Sequence, residues 1–322
     1  MSRPIAIVAG EPNSISSEII FKSWKLRKKY SHKPFIVIGS FHLLNLQKKK
    51  LKYKINIKKI DSKFSTVKIN NKNLWIYNVS YNQNKPFEKI TKKSNKYIFE
   101  CFEKALKLVK EKKILGFVNC PISKETLFKN KHKGITEYIS ERSKTKGKEV
   151  MLIYNKKLSV SPLTTHIPVS KINNRINESK IIQNIITINN FYKKNFKKKP
   201  KINVLGLNPH NFSTNRKDKQ NIIKSTIKRA KKLKLNVTGP ISADTSFIFS
   251  KKDKPDVILG MYHDQVLAPF KTMFKFDAIN ITLGIPFIRI SPDHGTAENI
   301  VGKNKANPSS LIESIKFFNH IK

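Results

Sequence analysis

Val257-Ile258-Leu259-Gly260-Met261-Tyr262-His263 is a short, β-branched apolar run that closes on a histidine. An uninterrupted apolar stretch of this length suits a strand buried on both faces, as in a parallel sheet covered by helices. Two other stretches have the same form: residues 160–165 close on His166, and residues 204–209 close on His210. Further strands are expected at residues 5–9, 35–38, 74–79, 114–119, 150–154, 202–207 and 279–283. Segments of helical period lie between them. In residues 97–110 the side chains Ile98, Phe102, Leu106 and Val109 share one face, and residues 222–233 repeat the pattern with Ile223, Ile227 and Ala230. A last helix starts at Asn307 as N-cap and Pro308 as first residue, with Leu311, Ile315 and Phe318 as its buried stripe. Strands alternating with helices define an α/β fold with a largely parallel sheet.

The chain has 322 residues, enough for one large α/β unit or two lobes sharing a cleft. No Gly, Ser or Pro linker marks a boundary, and the basic stretch 193–201 is the best candidate for a crossing between lobes. The net charge of +44 points first to a nucleic acid or an acidic membrane surface. Its distribution argues otherwise, because only seven of the 65 basic residues are arginine and the lysines are scattered among Asn and Ile in every segment. Such drift, of the kind an AT-rich genome imposes, makes solvated loops rather than a clustered groove with aromatic interleaving, so no specific nucleic-acid partner is expected. Cys101 and Cys120 form no CxxC pair, which excludes a zinc ribbon and a disulfide framework. No stretch reaches the roughly 18 apolar residues of a membrane span, and residues 5–9 are too short for a signal-peptide core, so a cytoplasmic protein is expected.

Ligands of open α/β sheets bind beyond the carboxyl ends of the strands, where His166, His210 and His263 all fall. Three neutral imidazoles with an open position are a common plan for a catalytic divalent cation. Asp264, beside His263, and Asp244, in Ser242-Ala243-Asp244-Thr245-Ser246, complete or orient the metal shell, hydrogen-bond a substrate amine, or cap helices. Asp293 and His294, in Asp293-His294-Gly295-Thr296-Ala297, form a tight glycine turn or a cofactor contact.

Thr164-Thr165-His166-Ile167-Pro168, Gly206-Leu207-Asn208-Pro209-His210, Met261-Tyr262-His263-Asp264-Gln265 and residues 280–289 (Asn-Ile-Thr-Leu-Gly-Ile-Pro-Phe-Ile-Arg) together resemble the 4-hydroxythreonine-4-phosphate dehydrogenase (PdxA) family of pyridoxal phosphate biosynthesis. Residues 293–297 extend the resemblance, which runs in order from Ile5 to the final helix. It implies an isocitrate/isopropylmalate dehydrogenase-like α/β/α fold of two intertwined lobes spanning residues 1–322, with a mixed, mostly parallel sheet and no Rossmann glycine fingerprint. It also implies a homodimer with the active site in a cleft near the interface. By motif position His166, His210 and His263 match the family's metal ligands (Zn2+, Mg2+ or Co2+), and Thr136, Lys271, Asn280 and Arg289 match its substrate-binding residues. The implied reaction is oxidation of 4-phosphooxy-L-threonine by NAD+ or NADP+ and decarboxylation to 3-amino-2-oxopropyl phosphate. Lys271 is the candidate base if desolvation lowers its pKa.

The chain departs from the family's usual pattern in three places. Gly134-Ile135-Thr136-Glu137 stands where Gly-His-Thr-Glu is usual, so Ile135 replaces a substrate-binding histidine unless His132 reaches in. In the amino-terminal loop Ser14 and Ser16 replace glycines, at a cost if those positions need a positive φ. Asn119-Cys120-Pro121 stands where Thr-Gly-Pro or Thr-Ala-Pro is usual. Cys120 reads there as a buried, inert thiol. These departures leave three readings: the biosynthetic enzyme, a paralogue oxidising another hydroxy acid, and a non-catalytic polyanion-binding protein suggested by charge alone.

Overall fold

The structure, a computed structural model, describes residues 3–60, 69, 72–128, 134–213, 218–250, 252–275, 277–292 and 294–321. In chain order the strands are β1 (Ile5–Val8), β2 (Phe35–Gly39), β3 (Ile57–Ile60), β4 (Leu74–Asn78), β5 (Gly116–Asn119), β6 (Val150–Tyr154), β7 (Ser159–Pro162), β8 (Ile202–Leu205), β9 (Val237–Ile241), β10 (Val257–Gly260), β11 (Ile279–Leu283) and β12 (Ile288–Pro292). The helices are α1 (Ser16–Leu26), α2 (Phe41–Lys50), α3 (Asn95–Lys110), α4 (Lys124–Leu127), α5 (Ile135–Arg142), α6 (Glu178–Phe196), α7 (Lys219–Lys232), α8 (His263–Phe274) and α9 (Ser309–Phe317). Two compact units result, one from Met1–Ile135 with Pro286–Lys322 and the other from Thr136–Ile285. The chain therefore passes between units near residues 135 and 285, while the basic stretch 193–201 is the end of α6 and its exit loop inside the second unit.

In the first unit the strand order is β3-β4-β2-β1-β5-β12, and every adjacent pair is parallel. Strands β1, β2 and β5 are buried along their whole length, as the apolar runs require. Helix α3 lays Ile98, Phe102, Leu106 and Val109 into this core, the face expected from their spacing. At the carboxyl terminus the backbone N–H of Ser309 donates to Asn307 Oδ1 at 2.9 Å, and Leu311, Ile315 and Phe318 are fully buried. Helix α9 starts at Ser309 with Pro308 in the N-cap position, one residue later than expected, so Asn307 lies just outside the helix and is not its N-cap.

In the second unit the order is β11-β6-β7-β10-β8-β9. Strands β7, β10, β8 and β9 are mutually parallel, whereas β6 runs antiparallel to both β7 and β11. The mixed, mostly parallel sheet expected of the chain is present. Helix α8 packs Val266, Leu267 and Phe270 against Ile153, Val160, Leu205 and Ile258, which fixes the start of the helix at the carboxyl end of β10.

Three strands escape the sequence pattern. β3 reads Ile-Lys-Lys-Ile, with both lysines exposed on an edge strand, and β9 reads Val-Thr-Gly-Pro-Ile, also at an edge. Edge position explains why both tolerate residues that a central strand excludes. β12 reads Ile-Arg-Ile-Ser-Pro, carrying Arg289 and ending on Pro292, so it lacks a continuous apolar run.

Candidate active site

Strands β7, β10 and β8 are neighbours in that order and parallel, so their carboxyl ends lie on one edge of the second unit's sheet. His166 follows the end of β7, His210 the end of β8, and His263 opens α8 just beyond β10. The His166 and His263 rings have centroids 6.0 Å apart. His263 Nδ1 lies 2.7 Å from Asp264 Oδ1. A carboxylate there favours the tautomer with Nδ1–H, which leaves Nε2 the ring's acceptor nitrogen.

The loops holding these histidines are tied to each other. Leu163 N–H donates to Gly260 O, and Thr164 Oγ1–H donates to Met261 O, both at 2.8 Å. Gln265, buried in the first turns of α8, accepts the Met261 N–H through Oε1 at 2.7 Å and donates from Nε2 to Gly206 O at 2.8 Å. On the β8 side Gln220 accepts the Leu207 N–H and donates to Asn211 Oδ1, while Asn211 Nδ2 donates to Pro240 O. His166 and His210 both have left-handed backbones, at φ 48° and 50°. That conformation costs an L-residue about 1–2 kcal/mol and persists where surrounding bonds hold it, often at functional sites.

The structure thus brings His166 and His263 together and places His210 on the adjacent strand end. Among the described residues no three His, Cys, Asp or Glu side chains are already gathered as a metal-holding group. The donor set nevertheless fits a divalent cation: three imidazoles on one sheet edge, exposed or half-buried, with one already oriented by a carboxylate. Asp264 is not a helix cap, since Tyr262 holds that position in α8. Asp244 is exposed in the turn after β9, where its Oδ1 accepts the Thr245 N–H, so it caps no helix either.

Of the other expected site residues in this unit, Lys271 is exposed in the last turn of α8, two turns beyond His263, or about 12 Å along the axis. Asn280 is half-buried in β11, paired with Ile153. Thr136 is half-buried in the first turn of α5.

The first unit has its own polar group near the carboxyl ends of β1 and β5, joined by Arg289 from the second position of β12. Arg289 on β12 is 1 % exposed, and its Nε–H donates to Asn119 Oδ1 at 2.8 Å. Glu11, fully buried, accepts the Asn13 N–H and the Ser94 hydroxyl. Burial pushes the Glu11 carboxyl above its ordinary value; the two hydrogen bonds oppose this in part, and Glu298 adds to it. The segment after β12 is joined to the amino-terminal loop by Ile15 N–H donating to Thr296 O. His294 is half-buried in that segment, while Asp293 and His132 lie outside the described residues. A cavity of about 790 Å³ lined by Tyr81, Gln83, Lys85, Lys93 and Lys96 holds none of the expected site residues.

The profile of the pyridoxal phosphate biosynthetic protein PdxA matches residues 31–318. The chain belongs to the PdxA family. A 4-hydroxythreonine-4-phosphate dehydrogenase from Sulfurihydrogenibium is 38% identical over 97% of this chain and 96% of its own length. An Oceanobacillus iheyensis relative that carries the name of a D-threonate 4-phosphate dehydrogenase is 31% identical over 97% of this chain and 95% of its own. The solved 4-hydroxythreonine-4-phosphate dehydrogenase from Klebsiella pneumoniae superposes with TM-score 0.87 at 27% identity, covering 99% of this chain and 98% of that one. Isocitrate dehydrogenase from Methylococcus capsulatus shares the fold at TM-score 0.50 and 10% identity, over 99% of this chain and 86% of that one. The chain is therefore an oxidoreductase of isocitrate-dehydrogenase-like fold, and the reading as a non-catalytic polyanion binder falls.

Within the PdxA family the three departures acquire physical accounts. Neither Ser14 nor Ser16 has a positive φ. Ser14 Oγ–H donates to Glu11 O at 2.7 Å, and Ser14 Oγ in turn accepts the Ser16 N–H at 3.1 Å, so the serines brace the loop instead of straining it. Ile135 is 7 % exposed, an apolar side chain accommodated by burial. Cys120 is fully buried, and desolvation pushes its thiol well above the usual range, as an inert thiol requires. Among the described residues no helix is long and apolar enough to cross a membrane.

Sequence reasoning missed the roles of Gln265 and Asn119. Gln265 left a signal, a polar side chain at a core position beside Val266, Leu267 and Phe270. Asn119 left only a departure from a usual motif.

Proposed function

We propose that this PdxA-family chain is a metal-dependent, NAD(P)+-linked dehydrogenase that oxidises and decarboxylates 4-phosphooxy-L-threonine to 3-amino-2-oxopropyl phosphate in vitamin B6 biosynthesis. The observation that carries this reading is the set of three histidines on adjacent parallel strand ends, in a chain whose relatives are named for that reaction. The reaction takes a hydride from C3 and a proton from its hydroxyl, and the resulting β-keto acid loses carbon dioxide.

His166, His210 and His263 would hold the cation, each through one neutral ring nitrogen, with Asp264 keeping His263 in the ligating tautomer. A bound divalent cation supplies Lewis acidity for the hydroxyl and for the negative charge left by decarboxylation. Arg289 offers a planar fork to a phosphate or carboxylate, and Lys271 offers a compact charge; it is exposed on α8, so it is the candidate base only where bound substrate and cofactor cover it. Asn280 and Thr136 supply neutral polar contacts to the substrate. His294 is a candidate contact for the nicotinamide cofactor.

A homodimer is part of the proposal. Val169, Phe212 and Ile248 are 79%, 65% and 81% exposed, on loops that follow β7, β8 and β9. These apolar side chains, exposed on loops beyond the histidine-bearing strand ends, support a surface there that a second chain covers.

A second reading, a paralogue acting on another phosphorylated hydroxy acid, is favoured by Ile135 and by the relative named for D-threonate 4-phosphate. The test is to supply the purified protein with each substrate and NAD+ or NADP+, and to follow reduced cofactor with and without a chelator. Chelator-sensitive turnover of 4-phosphooxy-threonine supports the first reading, turnover of D-threonate 4-phosphate alone selects the second, and turnover indifferent to chelator refutes the metal's part.

A further inference from the structure

We propose that Asn211 is a positioning residue of the cation site: its amide docks the His210 turn onto the sheet and thereby sets where His210 stands. The proposal rests on His210 binding the cation, as proposed above, and goes beyond that reading by naming what holds this ligand in place.

His263 has a carboxylate beside its ring. The His210 imidazole is exposed and, among the described residues, makes no hydrogen bond or ion pair, so its place is set through its backbone. That backbone is left-handed at φ 50°, and Asn211 follows it at φ 59°. Two bonds within the turn, Asn211 N–H to Asn208 O at 3.1 Å and Phe212 N–H to Pro209 O at 3.0 Å, fix its shape. They do not attach it to the rest of the unit. Asn208 ties one end of the turn to Asp218, ahead of α7, through Nδ2–H at 3.1 Å. Asn211 ties the other end to the sheet. Its Nδ2 donates to Pro240 O on β9 at 3.1 Å and to Ser242 Oγ at 3.3 Å, while Oδ1 accepts the Gln220 Nε2–H at 3.1 Å. Both ends of the amide are thus engaged, which fixes its orientation.

Gly206, just past β8, makes room for this amide, since a Cβ there would collide with Asn211 Oδ1. Its φ is not positive, so close approach is what requires the glycine. The carbonyl of the same Gly206 accepts the Gln265 Nε2–H from the first turns of α8, the helix that His263 opens. Asn211 therefore rests on the residue that also anchors the His263 side of the site. Without that anchor an L-residue at positive φ relaxes to a commoner conformation. The fraction of chains with His210 in place falls, and apparent cation affinity falls in proportion.

The experiment titrates cobalt(II) into wild type, Asn211→Gly, His210→Ala and the double variant, read by the visible absorption of bound cobalt and by calorimetry, with the cation-free thermal midpoint of each. Glycine at 211 keeps the positive φ without strain, so its effect reports the lost side chain. Asn211→Gly should weaken cobalt binding about 5- to 30-fold, the factor that corresponds to the cost of a left-handed L-residue. His210→Ala should weaken it further. In the His210→Ala background Asn211→Gly should change affinity by less than about twofold, because no ligand is left for it to position. A loss that persists undiminished there would make Asn211 a general brace and refute positioning. Wild-type affinity in Asn211→Gly would refute it too, with the metal reading intact. If His210→Ala binds cobalt as wild type does, the metal reading fails at His210 and the positioning proposal fails with it. Gly206→Ala is an independent arm, and it carries the test if Asn211→Gly does not fold. Its added methyl displaces the Asn211 amide, so cobalt affinity should fall, and an unchanged affinity would overturn the proposal.

Discussion

Replacing Gln265 with leucine removes a buried amide while nearly conserving side-chain volume. Its two hydrogen bonds join the loop that precedes His263 to the loop that leads to His210, through the Met261 N–H and the Gly206 carbonyl. Met261 is fully buried and Gly206 is buried against Asn211 and Gln220, leaving no room for a replacement partner to approach. Each buried backbone group left unpaired costs about 1–3 kcal/mol, so the pair sums to about 2–6 kcal/mol. Leucine returns about 1 kcal/mol through added apolar burial, for a net loss of about 1–5 kcal/mol. That is a large share of the roughly 5–15 kcal/mol that stabilises a native domain. Urea unfolding measures this loss, and titration with a divalent cation shows whether the histidine loops have also separated. A loss below about 0.5 kcal/mol, the level of an inconsequential surface change, would refute the clamp.

Asp264→Asn removes the carboxylate facing His263 Nδ1 at an exposed position, so cation affinity should fall about 10- to 100-fold with stability unchanged. Equal affinity in calorimetric titration would show that Asp264 does not orient the ligand. Glu11→Gln tests the buried carboxyl, whose raised pKa means that the unfolded chain loses its proton first as pH rises above about 4.5. Wild-type stability should therefore decline through that window up to the raised folded pKa. Glu11→Gln, having no such proton, should gain on wild type across the same window, and parallel urea-stability curves from pH 4 to pH 7 would contradict this.

The edge of the sheet that bears the histidines was legible because it depends on local pattern. A short β-branched apolar run such as residues 257–260 suits a strand buried on both faces, and a polar residue after its end then falls at the carboxyl edge. Sequence could not order the strands. That β10 lies between β7 and β8, which puts His263 between the loops of His166 and His210, is a matter of long-range pairing. The left-handed backbones of His166 and His210 were equally hidden, since nothing in a sequence marks an L-residue held at positive φ by its neighbours. The serines at 14 and 16 show the reverse case. Read as missing glycines they implied strain, but their hydroxyls make the loop's own bonds. Strands β3, β9 and β12 escaped because edge position and a buried arginine suspend the rules by which central strands are recognised.

The central claim is that one divalent cation is held by His166, His210 and His263. An anomalous difference map from crystals grown with cobalt or zinc tests it most directly. The account predicts one peak per chain at the carboxyl ends of β7, β10 and β8, within about 2.0–2.2 Å of one ring nitrogen from each histidine. A peak bound elsewhere, or none at this edge at saturating cation, would contradict it.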